Sequence, residues 1–228
     1  MPLTVHNPRF IYGFSIKISF PVAVTAPGGY KFQIECGREG AYSIPGGKES
    51  MMRAIPDNYR PVLTADQIDT RVHELADEIS RDLMGESPVF VGVLKGAFVF
   101  LADLVRAMSV PVEVDFAQIS SYGDETRTSG RIKVMKDITT PIAGRHVVVV
   151  EDIIDTGRTL HHYLNELRQR SPASLRLAAL INKPERQEFT PQVNYLGFTV
   201  PRGFLVGYGL DHAGMWRDLA GVYEVVDT

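Results

Sequence analysis

Apolar and polar positions along the chain follow two periods, one typical of buried strands and one typical of amphipathic helices. Short apolar runs indicate strands buried on both faces, and they occur at 89–94, 112–119, 147–150, 175–181 and 204–208. Apolar residues spaced three or four positions apart predict helices over 65–83, 97–108 and 160–170. The first helix starts at a capping box formed by Thr64 and Gln67. Strands that alternate with helices predict an α/β fold with a doubly wound, mainly parallel sheet.

The most informative polar residues follow the central strand at 147–150. Its four valines are followed by three acids and by a short turn before the next predicted helix, in the order Glu151, Asp152, Asp155, Thr156, Gly157, Arg158 and Thr159. Backbone N–H groups at a helix start are unpaired, and a glycine lets a phosphate approach them closely. Ligands of open α/β sheets bind beyond the carboxyl ends of the strands. The segment therefore predicts a phosphate site with carboxylates beside it.

Three acids next to a phosphate site indicate that a cation or a hydroxyl-bearing group lies between them. Mg²⁺ prefers one or two carboxylates together with substrate phosphates, and ribose hydroxyls donate hydrogen bonds to carboxylates. The chain contains neither the Gly-x₄-Gly-Lys-[Ser/Thr] pattern of P-loop nucleotidases nor a Gly-x-Gly-x-x-Gly dinucleotide fingerprint. These residues favour a ribose phosphate with Mg²⁺ over ATP hydrolysis or hydride transfer.

The same motif resembles the phosphoribosyl pyrophosphate motif of the type I phosphoribosyltransferases. Three other stretches are similar to the hypoxanthine-guanine branch of that family: Leu94-Lys95-Gly96-Ala97, Ser121-Tyr122-Gly123 and the closing run from Phe204 to Asp211. The resemblance covers residues 62–226. It implies the type I phosphoribosyltransferase fold with a small hood subdomain. It also implies a purine salvage reaction in which hypoxanthine or guanine displaces pyrophosphate to give IMP or GMP.

The resemblance also implies roles for the donor half of the site. Thr156 to Thr159 would bind the 5′-phosphate, while Glu151 and Asp152 would contact the ribose and Mg²⁺. Asp155 would also lie in the phosphoribosyl pyrophosphate site, where it would handle the proton on purine N7 as the catalytic acid–base group. The remaining implied donor-site residues are Lys95, Gly96 and Arg217 for pyrophosphate and Asp211 as a second metal-linked carboxylate.

The purine half of the site is implied by residues further along the chain. Lys183 matches the family lysine that donates to the 6-oxo group, Phe204 matches the aromatic that stacks on the base, and the Leu205 backbone matches the contact with the purine edge. The polar segment 120–130 is typical of a mobile loop, and Ser121 and Tyr122 match the family's lid residues. Such a lid would exclude water from an oxocarbenium-like transition state.

Composition narrows the class of partner. The 228 residues carry a net charge of −3 without a Lys/Arg stripe, so we expect small-molecule substrates and no nucleic acid. No apolar stretch approaches the roughly 20 residues of a membrane helix, so no membrane partner is expected. Cys36 is the one cysteine, which is compatible with a reducing, cytoplasmic location. The resemblance further implies a homodimer or homotetramer.

The first fifty residues differ in composition from the rest. They hold seven of the 20 glycines and no acidic residue before Glu35, and they have a net charge of +2 from five basic and three acidic residues. We predict that residues 1–50 are an atypical extension and that 51–228 form the phosphoribosyltransferase domain, with the hood mainly from 183–228. The favoured explanation is that translation starts at Met51 or Met52. A disordered tail, a transit-like leader and a genuine extra element follow in that order.

Two other functions stay open on the sequence. One is an RNA-binding regulator with the phosphoribosyltransferase fold, which would keep the phosphate cradle without serving salvage. Asp155 and the lack of a basic face disfavour it. The other is a transferase that prefers a different base. Lys183 and Phe204-Leu205 disfavour adenine and orotate but do not separate xanthine from hypoxanthine and guanine.

Overall fold

The computed structural model describes residues 55–121 and 132–226, together with three short strands closer to the amino terminus. The chain divides into two compact units, Met1–Ala54 and Ile55–Thr228. In the first unit, an antiparallel sheet has the order β1-β2-β3, formed by β1 (Val22–Thr25), β2 (Lys31–Cys36) and β3 (Tyr42–Ser43). The predicted boundary at residue 50 lies four residues before this division. A translation start at Met51 or Met52 stays a prediction.

Among the described residues, all the helices and nine of the strands lie in the second unit. Its helices are α1 (Ala65–Asp82), α2 (Phe98–Ala107) and α3 (Arg158–Arg168). Its strands are β4 (Tyr59–Leu63), β5 (Val89–Leu94), β6 (Glu113–Ser121), β7 (Ile132–Lys136), β8 (His146–Ile154), β9 (Ser174–Asn182), β10 (Tyr195–Thr199), β11 (Phe204–Val206) and β12 (Val222–Val225). A short 3-10 helix spans Pro184–Arg186.

A six-stranded sheet in the order β10-β9-β8-β5-β6-β7 forms the centre of this unit. Neighbouring strands are parallel except at the β6–β7 edge, which is antiparallel. The four valines of β8 are fully buried, and apolar clusters cover both faces, one with α1 and α2 and the other with α3. The predicted doubly wound, mainly parallel α/β fold is therefore confirmed.

The sequence pattern located the main elements but missed some ends and short strands. The capping box of α1 is confirmed: Gln67 N–H donates to Thr64 Oγ1 at 3.2 Å, and Thr64 N–H donates to Gln67 Oε1 at 2.9 Å. Strand β8 continues to Ile154 because its parallel ladder with β9 extends that far, so Glu151 and Asp152 lie within the strand. The pattern missed β4, β7, β10 and β12, which are short and interrupted by polar residues, glycine or proline.

A separate three-stranded antiparallel sheet, in the order β11-β12-β4, forms the hood. Strands β11 and β12 come from the carboxyl-terminal region that was predicted to form it. Strand β4 precedes α1, so the hood joins the two ends of the second unit. Because each hood strand has at most five residues, their pairing depends on one another and on the packing beneath them.

Candidate active site

The turn between β8 and α3 forms an open helix start at the edge of the central sheet. Gly157 caps α3 in the left-handed conformation, with a φ of +73°. A Cβ at this position would lie 2.0 Å from the backbone oxygen of Phe189, so a larger residue would displace the chain. The Arg158 N–H contacts the Thr156 hydroxyl at 3.5 Å. Since the first N–H groups of a helix lack partners within it, this turn is suited to bind a phosphate.

A cavity of about 720 Å³ opens beside this turn. It is lined by residues from the strand ends of the central sheet, the turn and the hood. Most of the sequence-predicted site residues line it: Lys95, Gly96, Glu151, Asp152, Asp155, Thr156, Gly157, Thr159, Lys183, Phe204, Leu205, Asp211 and Arg217. The fold thus brings the predicted donor and purine halves to one cavity.

The loop after β5 packs tightly against the floor of this cavity. The peptide bond between Leu94 and Lys95 is cis. A Cβ on Gly96 would lie 1.6 Å from Asp152 Oδ2, and a Cβ on Gly209 would lie 2.2 Å from the Gly96 oxygen. Gly96 and Gly209 therefore allow the loop after β5, the Asp152 carboxylate and the loop after β11 to approach one another closely.

The two carboxylates of β8 differ from ordinary surface acids. Burial raises the pKa of Glu151 well above its usual range, and the neighbouring Asp152 carboxylate raises it further. Burial also raises the pKa of Asp152, although backbone N–H groups and the charge of Arg217 oppose this shift. Glu151 Oε2 is buried with no hydrogen-bond partner within the described residues. Such a pair favours a ligand that brings hydroxyl groups or positive charge.

The donor set fits a magnesium ion that is shared with a substrate. Within 55–119 and 134–226, where side chains are described, no group of three or more His, Cys, Asp or Glu could hold a metal alone. Mg²⁺ commonly takes one or two protein carboxylates and completes its shell with substrate oxygens and water. The Glu151–Asp152 pair, with its unpartnered buried oxygen, meets that requirement.

Asp211 lines the cavity but already has partners in its own loop. Its Oδ1 lies 2.5 Å from Arg217 Nη2, and its Oδ2 accepts a hydrogen bond from the Gly214 N–H at 2.7 Å. Arg217 Nη1 also donates to the Gly209 carbonyl at 2.6 Å. The loop is therefore held in one shape by its own ion pair, and the link from Asp211 to a metal stays a prediction.

Asp155 and Lys183 face the cavity from the ends of adjacent parallel strands. Asp155 Oδ1 is buried and lies 3.2 Å from Arg186 Nε as an ion pair, without an aligned hydrogen bond from the described chain. Lys183 is only 4% exposed, and its Nζ donates to the Gly203 carbonyl. Burial lowers the pKa of Lys183, whereas the charge of Asp155 raises it. Asp155 and Lys183 thus both line the purine half of the cavity, near enough for the charge of Asp155 to act on Lys183.

The hood strand β11 presents one exposed ring and one buried side chain. Phe204 is 51% exposed and Leu205 is 5% exposed, although both line the cavity. A half-exposed phenyl ring at a cavity wall is available for stacking on a flat ligand. Leu205 can offer its backbone to such a ligand while its side chain packs into the core.

Three predicted site residues, Arg158, Ser121 and Tyr122, are not among the described residues that line the cavity. The Arg158 side chain does not line the cavity, because it pairs with Glu188 and lies over the Phe189 ring, so only its backbone remains for phosphate binding. Ser121 is the last residue of β6, while Tyr122 lies outside the described residues.

Sequence reasoning missed Arg186 as a cavity residue. Its signal was a second cation three positions after Lys183, in a turn that begins with Pro184. None of the described helices is long and apolar enough to cross a membrane.

A mainly parallel α/β sheet with a helix start suited to phosphate at its edge is typical of proteins that bind phosphorylated ligands. Comparison with known proteins narrows the class. Residues 63–213 match the family model for the phosphoribosyl transferase domain. The chain is 44% identical over 168 residues to a hypoxanthine-guanine phosphoribosyltransferase of Dictyostelium discoideum, covering 72% of this chain and 93% of that protein.

A solved structure and a longer relative agree with this match. The hypoxanthine phosphoribosyltransferase of Trypanosoma cruzi in complex with the product IMP has a TM-score of 0.71 and 34% identity, over 76% of this chain and 97% of that one. The bifunctional protein TilS/HprT of Listeria monocytogenes is 40% identical over 174 residues, which are 76% of this chain. The match spans only 26% of that longer protein. The chain belongs to the phosphoribosyltransferase family, in its hypoxanthine-guanine branch.

Proposed function

We propose that the chain transfers the 5-phosphoribosyl group of phosphoribosyl pyrophosphate to hypoxanthine or guanine, releasing pyrophosphate and forming IMP or GMP. The observation that carries this proposal is that one cavity joins the helix start at Thr156–Thr159, Asp155, and a wall formed by Lys183 and Phe204. The helix start suits the 5′-phosphate, and the wall suits a flat base with a hydrogen-bond acceptor.

Residues of the donor half would hold the ribose, its 5′-phosphate and its pyrophosphate group. The 5′-phosphate binds the backbone N–H groups of 156–159 and the hydroxyls of Thr156 and Thr159. The ribose hydroxyls donate to Glu151 and Asp152. Mg²⁺, held by these carboxylates together with substrate oxygens, would offset the negative charge of the departing pyrophosphate. Lys95 and Arg217 supply further positive charge on the side where pyrophosphate leaves.

The transfer itself exchanges one bond at the anomeric carbon for another. Purine N9 forms a bond to C1′ while the bond from C1′ to the pyrophosphate oxygen breaks, and pyrophosphate keeps that electron pair. The base enters with a proton on N7, which Asp155 accepts as N9 becomes bonded. A lid that includes Ser121 and Tyr122 would exclude water from the positively charged sugar during this exchange.

Selection of the base depends on the purine half. Lys183 donates to the 6-oxo group and disfavours the 6-amino group of adenine, which offers a donor at that place. The ring of Phe204 stacks on the base, and the Leu205 backbone contacts its edge. These contacts support the 6-oxopurines as a class and leave xanthine as the alternative substrate.

An ultraviolet assay of each purine with phosphoribosyl pyrophosphate and Mg²⁺ tests the proposal. We expect hypoxanthine and guanine to be converted, adenine to be inactive, and chelation of Mg²⁺ to abolish turnover. Failure to convert every 6-oxopurine would refute the enzyme proposal. Conversion of xanthine alone would change the substrate but keep the reaction.

Assembly and location belong to the same proposal. We propose a homodimer or homotetramer that acts in the cytoplasm, in keeping with its single cysteine. Light scattering on the purified chain, with and without phosphoribosyl pyrophosphate, measures the assembly. A monomer under both conditions would contradict it.

A further inference from the structure

The ring of Phe204 contacts a residue that does not line the cavity. With 51% of its surface exposed, it stands at the edge of a three-residue strand rather than in the core. His212 contacts it in a T-shaped arrangement, with ring centroids 5.3 Å apart and an interplanar angle of 74°. Phe204 lines the cavity but His212 does not. His212 therefore contacts the ring without itself lining the cavity.

His212 is itself held in place from two directions. Its backbone forms a tight turn with Met215, in which the His212 N–H donates to the Met215 oxygen at 3.1 Å and the Met215 N–H donates back at 3.0 Å. Its Nδ1 shares a hydrogen bond of 3.2 Å with the Tyr59 hydroxyl. The His212 backbone is thus held in a turn, and its imidazole is hydrogen-bonded to the first residue of β4.

The hood sheet explains why Tyr59 can reach this position. Val225 of β12 pairs with Phe204 on one side and with Tyr59 on the other. Directly paired residues of antiparallel strands point to the same face of the sheet, so the two rings flank Val225 on one face. His212 links them across this face, and Tyr59 also meets the Trp216 ring at 5.3 Å.

We propose that His212 and Tyr59 are positioning residues for the purine, which fix the Phe204 ring in the orientation that stacks on the base. The inference rests on the proposed function, because it concerns the ring on which the purine would stack. A ring already held in its bound orientation loses less freedom when the base binds. Through Tyr59 and His212, β4 would help to position the purine, although it precedes Phe204 by more than a hundred residues.

Substitutions that remove one contact at a time test this proposal. His212→Ala removes the ring that supports Phe204, and we expect the KM for hypoxanthine and guanine to rise about 3- to 10-fold. Tyr59→Phe keeps its ring but loses the hydroxyl, and we expect about a 2- to 5-fold rise. The double variant should be no worse than His212→Ala, because both changes break one chain of contacts.

The KM for phosphoribosyl pyrophosphate separates positioning of the base from disturbance of the adjoining loop. It should stay within about 2-fold of wild type in all three variants. Tyr223→Phe is the matched control, since it removes a hydroxyl from the same face of β12, two residues from Val225. We expect it to leave both KM values unchanged.

Two outcomes would overturn the inference. One is an unchanged purine KM in Tyr59→Phe and His212→Ala. The other is an equal rise in both KM values, which would show that His212 acts through the adjacent Asp211 loop. Calorimetric binding of IMP to each variant gives the same comparison without turnover. If His212→Ala fails to fold, Tyr59→Phe decides alone. An inactive wild-type protein would instead refute the proposed function.

Discussion

The donor and purine halves of the cavity are built in different ways. The donor half comes mainly from one stretch, 151–159, in which a buried strand turns directly into a helix. The purine half takes Lys183 from the end of β9 and Phe204 from β11, and its support from the loop after residue 211 and from β4. Site residues that lie in one continuous segment can be recognised from the sequence. Site residues that lie on separate short strands come together only through the pairing of those strands.

The two halves also differ in charge. Two buried carboxylates with raised pKa values stand in the donor half, where a metal and a ribose are proposed to bind. A lysine that is 4% exposed stands in the purine half, with a pKa lowered by burial. Asp155 lies between them, because it follows the donor strand and its charge acts on Lys183. Substitutions on each side should therefore have separable effects.

Asp155→Asn is expected to have the largest effect. An amide cannot accept the N7 proton, so turnover should fall by about 10²–10⁴-fold, while the KM for phosphoribosyl pyrophosphate changes little because the backbone cradle remains. Steady-state rates at saturating concentrations of both substrates measure it. Glu185→Gln is the control, because this exposed acid does not line the cavity. Unaltered turnover in Asp155→Asn would remove the residue from its role.

Gly96→Ala should damage the donor half selectively. Its Cβ would lie 1.6 Å from Asp152 Oδ2, so the loop or the carboxylate must move. A displacement of this size lowers kcat/KM for phosphoribosyl pyrophosphate by about 10²-fold. Gly85→Ala serves as the control: its φ of +84° strains an alanine, but its Cβ meets nothing within 4 Å and the residue does not line the cavity. Equal activity in the two variants would show that the close approach at Gly96 is unimportant.

Lys183→Gln should alter the choice of base and spare the donor. Losing a charged hydrogen bond to the 6-oxo group lowers kcat/KM for hypoxanthine by about 10- to 100-fold. The preference for hypoxanthine over adenine should narrow, because glutamine offers both a donor and an acceptor. Parallel assays with both bases and with varied phosphoribosyl pyrophosphate measure this. A matching loss in donor affinity would contradict the separation of the halves.

Lys183 should also affect stability in alkaline solution, which is the smallest effect. Because burial lowers its folded pKa, the unfolded chain binds more protons than the folded chain between that pKa and 10.5. Stability relative to Lys183→Met should therefore rise with pH in this window, by at most about 1.4 kcal/mol per pH unit. Urea unfolding of both proteins at several pH values measures the difference. A pH-independent difference would show that the lysine is not desolvated.

The sequence predicted the donor half of the cavity more accurately than the purine half. The central strand, the turn and the start of α3 were located to within a few residues because a buried run and a glycine turn act locally. Lys183, Phe204 and Asp211 were found through resemblance to a family rather than from any local pattern. Arg186 was missed as a cavity residue, and the contacts of Tyr59 and His212 beside Phe204 were missed as well. Their partners lie on other strands and loops, so no nearby periodicity marks them.

The sequence by itself determined a parallel α/β sheet, a phosphate-binding helix start and a set of acids beside it, because strand burial and helix capping depend on neighbouring residues. Only the tertiary structure decided which side chains share the cavity. It paired β4 with β12, which brought Tyr59 to His212, and it packed Gly209 against Gly96. It also buried Glu151 and Lys183, and burial rather than residue type changes their pKa values. Such contacts arise from close packing between distant segments.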